Sequence, residues 1–243
     1  MHKKLSRALA GAVLMGMSTA LAHAASITIG IGGDCTTLDP QDANDTLSMS
    51  VQRLIMPGLF GFDETMNVVP VLAEKYEVSD DAKTFTISLK KDIAFQDGTP
   101  FNADAVKLSF DRVINPENKL KRYTLFSNIK SVEVVDPSTV KFDLKEPFAS
   151  MINVLAHPSA GIISPAALAK YNGDIGSHPV GAGPFAFSEW QRGTKIELEN
   201  SDVADAIAEC ISVHQRVVED GGQRLIGQEK PTEPEPWFAN ASE

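Results

Sequence analysis

The side chains that carry most enzyme chemistry are sparse in this sequence, and their spacing forms no catalytic motif. The sequence contains no HExxH pattern of zinc proteases, no GxSxG elbow for a nucleophilic serine and no P-loop for phosphate. Carboxylate pairs such as Asp80 and Asp81 are typical of solvated turns. The histidines lack zinc-ligand spacing; they are His2, His23, His157, His178 and His214. We therefore predict a protein that is not an enzyme and that uses no metal ion or other cofactor.

The glycines near residue 30 come nearest to a cofactor-binding motif. Gly30-Ile31-Gly32 opens like a dinucleotide-binding fingerprint, but Cys35 stands where that fingerprint requires its third glycine. We interpret these glycines as residues that let the chain turn after a strand.

Residues 1–24 have the pattern of a secretory signal peptide. Basic residues at positions 3, 4 and 7 precede an apolar run over residues 8–21, and small residues at 22 and 24 fit the cleavage positions. The alternative, an amphipathic N-terminal helix, needs a polar face that residues 8–21 lack. We therefore predict export, cleavage near Ala24 and a mature chain that starts near Ala25, without another apolar run long enough to anchor it.

Composition narrows the class of partner. Cleavage leaves about 220 residues, enough for one large or two small domains. The net charge is −10, and the basic residues are scattered, which argues against nucleic acid and anionic membranes as partners. We predict a soluble monomer. Cys35 and Cys210 are the two cysteines, and whether they pair in an oxidising compartment stays open.

Hydrophobic periodicity predicts an alternation of strands and helices that is not strictly regular. Strands are predicted at residues 26–31, 83–89, 131–135, 139–144, 183–190 and 195–199. Helices are predicted from a cap at Asn44 or Asp45 to Ile55, after Asn102, over 148–155, and from Ser164 to Tyr171. Asp136-Pro137-Ser138 predicts the turn of a β-hairpin.

Three groups of segments resemble a known protein family. They are residues 36–40 with 59–61; residues 72–76, 79–81, 84–86, 89–90 and 95–106; and residues 179–185. Together they are similar to the family 5 extracellular solute-binding proteins of ABC importers for peptides and nickel. The resemblance implies an α/β fold, a mixed-sheet lobe of the type II periplasmic-binding-protein kind. Residues 25–199 would form the first lobe and its inserted subdomain.

Within that family, three further segments are most similar to the glutathione-binding periplasmic subunit. They are residues 42–47, 120–123 and 153–158. The resemblance implies a periplasmic protein that binds a small peptide-like ligand, glutathione or a dipeptide, and delivers it to an inner-membrane ABC permease. In such proteins two lobes close on the ligand by a hinge motion.

The resemblance also implies which side chains of the first lobe contact the ligand. Asp34, Thr36 and Thr37 follow the end of a predicted strand, where a loop suits ligand contact. Arg122, next to Tyr123, has the geometry to pair bidentately with a ligand carboxylate. His157 completes the set of candidates.

Simpler roles for the same residues stay open. The two threonines can cap a turn, Arg122 can be a solvated surface arginine, and His157 can be a hydrogen-bonded histidine at a helix end.

The sequence departs from the family pattern at three places. Ala82 and Asp92 stand where the family usually has glycine, which is costly if those turns need positive φ. After Glu199 the resemblance stops, and we expect residues 200–243 to be a poorly ordered, non-family tail with the C-terminal part of the family sequence missing. A non-functional truncated product is therefore one alternative function, and a secreted enzyme is a second.

Overall fold

The structure is a computed structural model that describes residues 29, 30 and 32–201. The predicted signal peptide, most of the predicted strand at 26–31, Cys210 and the tail from residue 202 onward lie outside the described residues. In the part of the chain that the structure describes, no helix is long and apolar enough to cross a membrane.

The first helix, α1, spans Thr46–Ile55 and begins at the predicted cap. The carboxylate of Asp45 accepts a hydrogen bond from the backbone N–H of Ser48 at 2.8 Å, which satisfies one of the free N–H groups of the first turn. Ser48, Gln52 and Ile55 are buried along one face. The helix ends at Ile55, with Met56 as its C-terminal cap, directly before the helix-breaking pair Pro57-Gly58.

Two strands that were not predicted follow α1. β1 (Phe60–Phe62) and β2 (Val68–Pro70) pair as an antiparallel hairpin. Strands of three residues are too short to show the alternation of apolar and polar residues on which a sequence-based prediction depends.

A four-stranded antiparallel sheet forms the largest layer of the structure, with strand order β3-β4-β6-β5. Its strands are β3 (Ala73–Val78), β4 (Thr84–Leu89), β5 (Ile129–Asp136) and β6 (Thr139–Leu144). Buried and half-buried residues alternate along β4 and β6, so one sheet face packs on the core and the other is more accessible. The predicted strands at 83–89, 131–135 and 139–144 and their hairpin are confirmed, whereas β3 was not predicted.

Helix α2 (Ala103–Ile114) covers the apolar face of this sheet. Asn102 caps it, as predicted, by accepting from the N–H of Ala105 at 3.0 Å. The ring of Phe110 meets the rings of Phe126 and Phe142 edge to face, with centroids 5.7 and 4.9 Å apart. The predicted apolar helix face is therefore the centre of the core.

The remaining elements are short. They are a 3-10 turn at Pro116–Asn118, α3 (Tyr123–Phe126), α4 (Met151–Leu155), a 3-10 turn at Pro158–Ala160, α5 (Pro165–Lys170), β7 (Phe185–Gln191) and β8 (Lys195–Asn200). β7 and β8 pair as an antiparallel hairpin, as predicted. The predicted helix at 148–155 is confirmed in its second half only, because residues 149 and 150 form a turn.

Gln96 joins two of the recognised sequence segments at the end of α1. Its side-chain amide donates to the carbonyls of Ile55, Gly183 and Phe185 at 3.3, 3.0 and 2.8 Å, and its oxygen accepts from the N–H of Gly181 at 3.1 Å. A Cβ on either glycine would lie 2.1–2.2 Å from a backbone oxygen of α1. The close approach of these segments therefore requires glycine at both positions.

The two positions at which the sequence departs from the family's usual glycine both lie at turns with positive φ. Ala82 has φ +52° and Asp92 has φ +60°, both in the left-handed region. Mixed helices and antiparallel sheets confirm the predicted α/β class. The predicted domain boundaries at residues 25, 199 and 200 stay predictions.

Candidate ligand-binding site

The loop of residues 34–37 is attached to the N-terminal end of α1 through Thr36. The Thr36 hydroxyl donates to the carboxylate of Asp45 at 2.5 Å, and the Thr36 N–H donates to the hydroxyl of Ser48 at 2.9 Å. Partial burial acts to raise the pKa of Asp45, but hydrogen bonds from Thr36 and Ser48 outweigh it, so this pKa lies below its ordinary value. Asp45 is therefore ionised at neutral pH, and the loop is anchored to a fixed negative charge.

Thr37 caps a turn, which was the simpler alternative to ligand contact for this residue. Its hydroxyl accepts from the N–H of Asp39 at 3.1 Å, and its carbonyl accepts from the side-chain amide of Gln52 at 3.0 Å. A hydroxyl that accepts one hydrogen bond can still donate another. The turn therefore fixes the threonine without using its donor.

Asp34 is held by the tip of the β7–β8 hairpin. Its carboxylate accepts from the Nε1–H of Trp190 at 3.0 Å, from the N–H of Gly193 at 2.7 Å and from the N–H of Cys35 at 3.0 Å. The hydrogen bond from Gly193 is the main reason that the pKa of Asp34 is lowered. This candidate is thus an ionised carboxylate with three intramolecular donors.

Arg122 is half-buried and anchored rather than freely solvated. Its Nε donates to the carbonyl of Ala43 at 2.6 Å, and its Nη2 lies 3.5 Å from the sulfur of Met49. A guanidinium carries five N–H donors, so this anchoring orients the group while other donors remain for a ligand. Tyr123 begins α3 next to it and is also half-buried.

His157 precedes the 3-10 turn at Pro158–Ala160, and its Nδ1 accepts from the N–H of Ser159 at 3.1 Å. Partial burial and the positive charge of Arg122 hold the pKa of His157 below 6.5. Because Nδ1 is an acceptor, the neutral ring carries its proton on Nε2 and presents that N–H as a donor. The ring lines a cavity of about 250 Å³ beside the β1–β2 hairpin.

The structure thus sorts the six predicted site residues into two groups. Asp34, Thr36 and Thr37 form one group. The other group consists of Arg122, the adjacent Tyr123, and His157, whose pKa is lowered by the positive charge of Arg122. Both groups contact the N-terminal region of α1, because Thr36 bonds Asp45 while Arg122 bonds Ala43 two residues earlier. Each keeps at least one side chain with N–H or O–H donors suited to an anionic ligand group.

A buried ion pair supports the segment between the two groups. The guanidinium of Arg112 binds the carboxylate of Asp39 at 2.5 and 3.2 Å and the side-chain oxygen of Gln41 at 2.7 Å. The side chains of Arg112 and Asp39 are only 15% and 7% exposed. Gln41 in turn accepts from the backbone N–H of Arg122 at 3.1 Å through its carbonyl. Helix α2 therefore fixes the place at which Arg122 enters the site.

Sequence reasoning did not identify several residues that shape this region. Ser48, Met49, Trp190 and Arg192 all contact candidate residues. Asp45 was recognised only as a possible helix cap. The cap pattern was the one local signal. Trp190 and Arg192 come from a distant segment, and nothing in the types of Ser48 and Met49 sets them apart from the rest of the first turn of α1.

Comparison with known proteins identifies the class. The family described as bacterial extracellular solute-binding proteins, family 5, middle region, matches residues 67–206, which is more than half of the chain. The chain therefore belongs to the family 5 extracellular solute-binding proteins, as the sequence motifs predicted. The relatives it resembles are solute-binding proteins rather than enzymes.

The relatives in this family include glutathione-binding proteins. The chain is 52% identical over 194 residues to glutathione-binding protein GsiB of Escherichia coli O6:K15:H31, covering 78% of this chain and 38% of that protein. It is 53% identical over 176 residues to GsiB of Salmonella choleraesuis, covering 72% of this chain and 34% of that protein. The chain thus spans little more than a third of the length of these relatives.

Solved structures of the same family share the fold. AgaA of A. tumefaciens R10, in complex with agropinic acid, is 38% identical with a TM-score of 0.66, over 70% of this chain and 34% of that one. NikZ of Campylobacter jejuni, in complex with Ni(L-His), is 31% identical with a TM-score of 0.63, over 69% and 34%. AppA of Bacillus subtilis, in complex with a nonapeptide, is 27% identical with a TM-score of 0.65, over 72% and 36%. The predicted type II periplasmic-binding-protein fold is confirmed.

Proposed function

We propose that this chain is a periplasmic solute-binding component of an ABC importer for peptide-like solutes, and that its ligand is glutathione. The observation that carries the proposal is the identity of 52–53% with glutathione-binding proteins over 72–78% of this chain. The described residues would form the first lobe with its inserted subdomain, on one side of the ligand cleft. An inner-membrane ABC permease would receive the ligand.

The chemistry of the site suits such a ligand. Glutathione carries two carboxylates, and Arg122 is an anchored guanidinium that can pair bidentately with one of them. The Nε2–H of His157 can donate to the same carboxylate or to a peptide carbonyl. Thr36 and Thr37 lie in the loop beside the N-terminal end of α1. In the same loop Asp34 would supply the negative charge that a ligand ammonium group requires. Tyr123 would pack against the ligand backbone beside Arg122.

Calorimetric titration of the mature chain with glutathione, and separately with simple dipeptides, tests the ligand. We expect a saturable heat of binding with glutathione and a lower affinity for simple dipeptides, because these dipeptides carry one carboxylate. Tight binding of dipeptides, with no binding of glutathione, would change the proposed ligand but not the proposed class of solute-binding protein. A folded chain that binds neither would contradict the proposal.

Arg122→Ala tests the site, and Lys121→Ala is its matched control. The neighbouring Lys121 is exposed and carries the same charge, but its Nζ already pairs with the carboxylate of Asp42 at 3.3 Å. We expect Arg122→Ala to weaken glutathione binding about 30-fold or more, because it removes a charged hydrogen-bonded partner, and Lys121→Ala to leave it within about twofold. Equal effects of both substitutions would remove Arg122 from the site.

A further inference from the structure

The tip of the β7–β8 hairpin makes a dense set of contacts with the loop of residues 34–37, although 156–159 residues separate them in the chain. Trp190 and Gly193 donate to the carboxylate of Asp34, as described above. Arg192 donates from Nη1 to the carbonyls of Cys35 and Thr36 at 3.4 and 3.2 Å. The hairpin tip therefore contacts this loop through both side chains and backbone.

The hairpin tip has a defined geometry of its own. The guanidinium of Arg192 stacks on the ring of Trp190 at 3.3 Å from the ring centroid, which fixes both side chains. Thr194 donates its N–H to the carbonyl of Gln191 at 2.9 Å, and Gly193 between them has φ +72°, a conformation that favours glycine. The donors that meet the loop are thus also held by contacts within the hairpin itself.

Cys35 lies at the centre of the contacted loop. Its N–H bonds to Asp34 and its carbonyl accepts from Arg192, so the hairpin contacts hold the backbone on both sides of the thiol. The residue is only 3% exposed. Burial also raises the pKa of the Cys35 thiol above its ordinary value. Since the thiolate is the reactive form, the thiol is protected both sterically and chemically.

We propose that Trp190, Arg192 and Asp34 form a clasp that positions the ligand-contact loop of residues 34–37 and shields the Cys35 thiol. The inference rests on the proposed function for the role of the loop in ligand contact, but not for the shielding. Trp190 and Arg192 act as positioning residues, because Trp190 holds the carboxylate of Asp34 and Arg192 holds the backbone of Cys35 and Thr36. Asp34 is the part of the loop that the hairpin tip binds.

The shielding has a chemical purpose in a protein that binds a thiol peptide. An exposed Cys35 thiolate would attack a sulfur of glutathione disulfide, forming a mixed disulfide and releasing one glutathione thiolate. That product would place a bulky adduct in the loop and block the site. The clasp prevents the attack by holding the backbone of Cys35 in the conformation that buries the thiol.

The test measures how fast Cys35 reacts with an aromatic disulfide reagent whose released thiolate is coloured. The background is the mature chain with Cys210→Ser, so that one thiol is followed. We compare Trp190→Phe, which keeps an aromatic ring but removes the Nε1–H, with Arg192→Gln and Arg192→Lys. Lys195→Ala is the matched control, because Lys195 pairs with Glu189 and Glu197 on the same hairpin without a bond to the loop.

We expect Trp190→Phe and Arg192→Gln to raise the rate about fivefold or more, as loss of a hydrogen bond to or from a charged group should. Arg192→Lys should stay well above the parent rate, since lysine lacks the planar fork that stacks and spans two carbonyls. Lys195→Ala should change the rate less than twofold. These increases in rate should be independent of urea at concentrations well below the unfolding transition, because local opening exposes little surface.

Unchanged rates in the Trp190 and Arg192 variants would overturn the clasp, and so would increases that follow global unfolding in their urea dependence. If Trp190 and Arg192 had a purely structural role, their substitution would lower the melting temperature and raise the rate of Cys35 modification in proportion. Because this test needs no ligand, its failure is distinct from failure of the proposed function. Titration of the same variants with S-methylglutathione, which has no free thiol, tests the positioning role, and an affinity equal to the parent would contradict that part.

Discussion

Replacing Gln96 with alanine should destabilise the fold more than the loss of an ordinary half-buried glutamine. The carbonyl of Ile55 keeps the hydrogen bond that it accepts from the N–H of Gly183, so it is not left unpaired. The carbonyl of Gly183 and the N–H of Gly181 each lose a bond to the Gln96 side chain, and both glycines are buried. An unsatisfied buried backbone group costs about 1–3 kcal/mol. We therefore expect Gln96→Ala to cost about 3 kcal/mol.

Urea denaturation followed by circular dichroism measures this cost. The midpoint should fall with little change in slope, and the melting temperature should fall by roughly 6–12 °C for a chain of this size. Gln191→Ala is the control, because Gln191 is exposed and its amide bonds one neighbouring side chain, Glu189, at 2.9 Å. It should change stability by less than about 0.5 kcal/mol. A Gln96→Ala cost below about 1 kcal/mol, or equal to the control, would refute the reasoning.

Two further predictions concern backbone strain and pH. Ala82→Gly should stabilise the protein by about 1 kcal/mol in the same assay, because it relieves a left-handed φ. Asp92→Gly should increase stability less, because aspartate tolerates the left-handed region better than alanine does. A loss of stability in both variants would contradict the strain. The pKa of His157 is lower in the folded chain than its ordinary 6.5. Its contribution to stability is therefore fully present above 6.5 and is lost as pH falls from 6.5 through the lower pKa of the folded chain. His157→Gln should therefore flatten the dependence of the melting temperature on pH between about pH 7 and 5, and an unchanged slope would show that other groups cause it.

Local signals predicted the helix starts and most of the sheet. Asp45, Asn102 and Ser164 cap helices where the sequence placed them, because capping depends on a donor three residues away in the chain. β3 was missed because its side chains after Ala73 are all exposed at the sheet edge, so no alternation of burial marks it. At Ala82 and Asp92 the family pattern indicated a cost if the turns need positive φ, and the structure shows that both turns do.

The candidate site was harder to predict, because its geometry depends on distant partners. Arg122 was selected for its charge, yet its orientation comes from Ala43 and Met49, more than 70 residues earlier. Asp34 was selected for its place after a strand, yet its carboxylate is bonded by a tryptophan 156 residues later. No local pattern in the sequence encodes such pairs, so type and position were predictable while the partners were not.

The glutamine at position 96 also limits which segments of this chain can be exchanged. A replacement for residues 95–106 would need an amide at position 96, and positions 181 and 183 would have to stay glycine, because a side chain there would collide with α1. The two halves of this joint lie about 85 residues apart in the chain and must change together. An exchange of either segment is therefore expected to keep the stability of this chain only when both halves of the joint are kept.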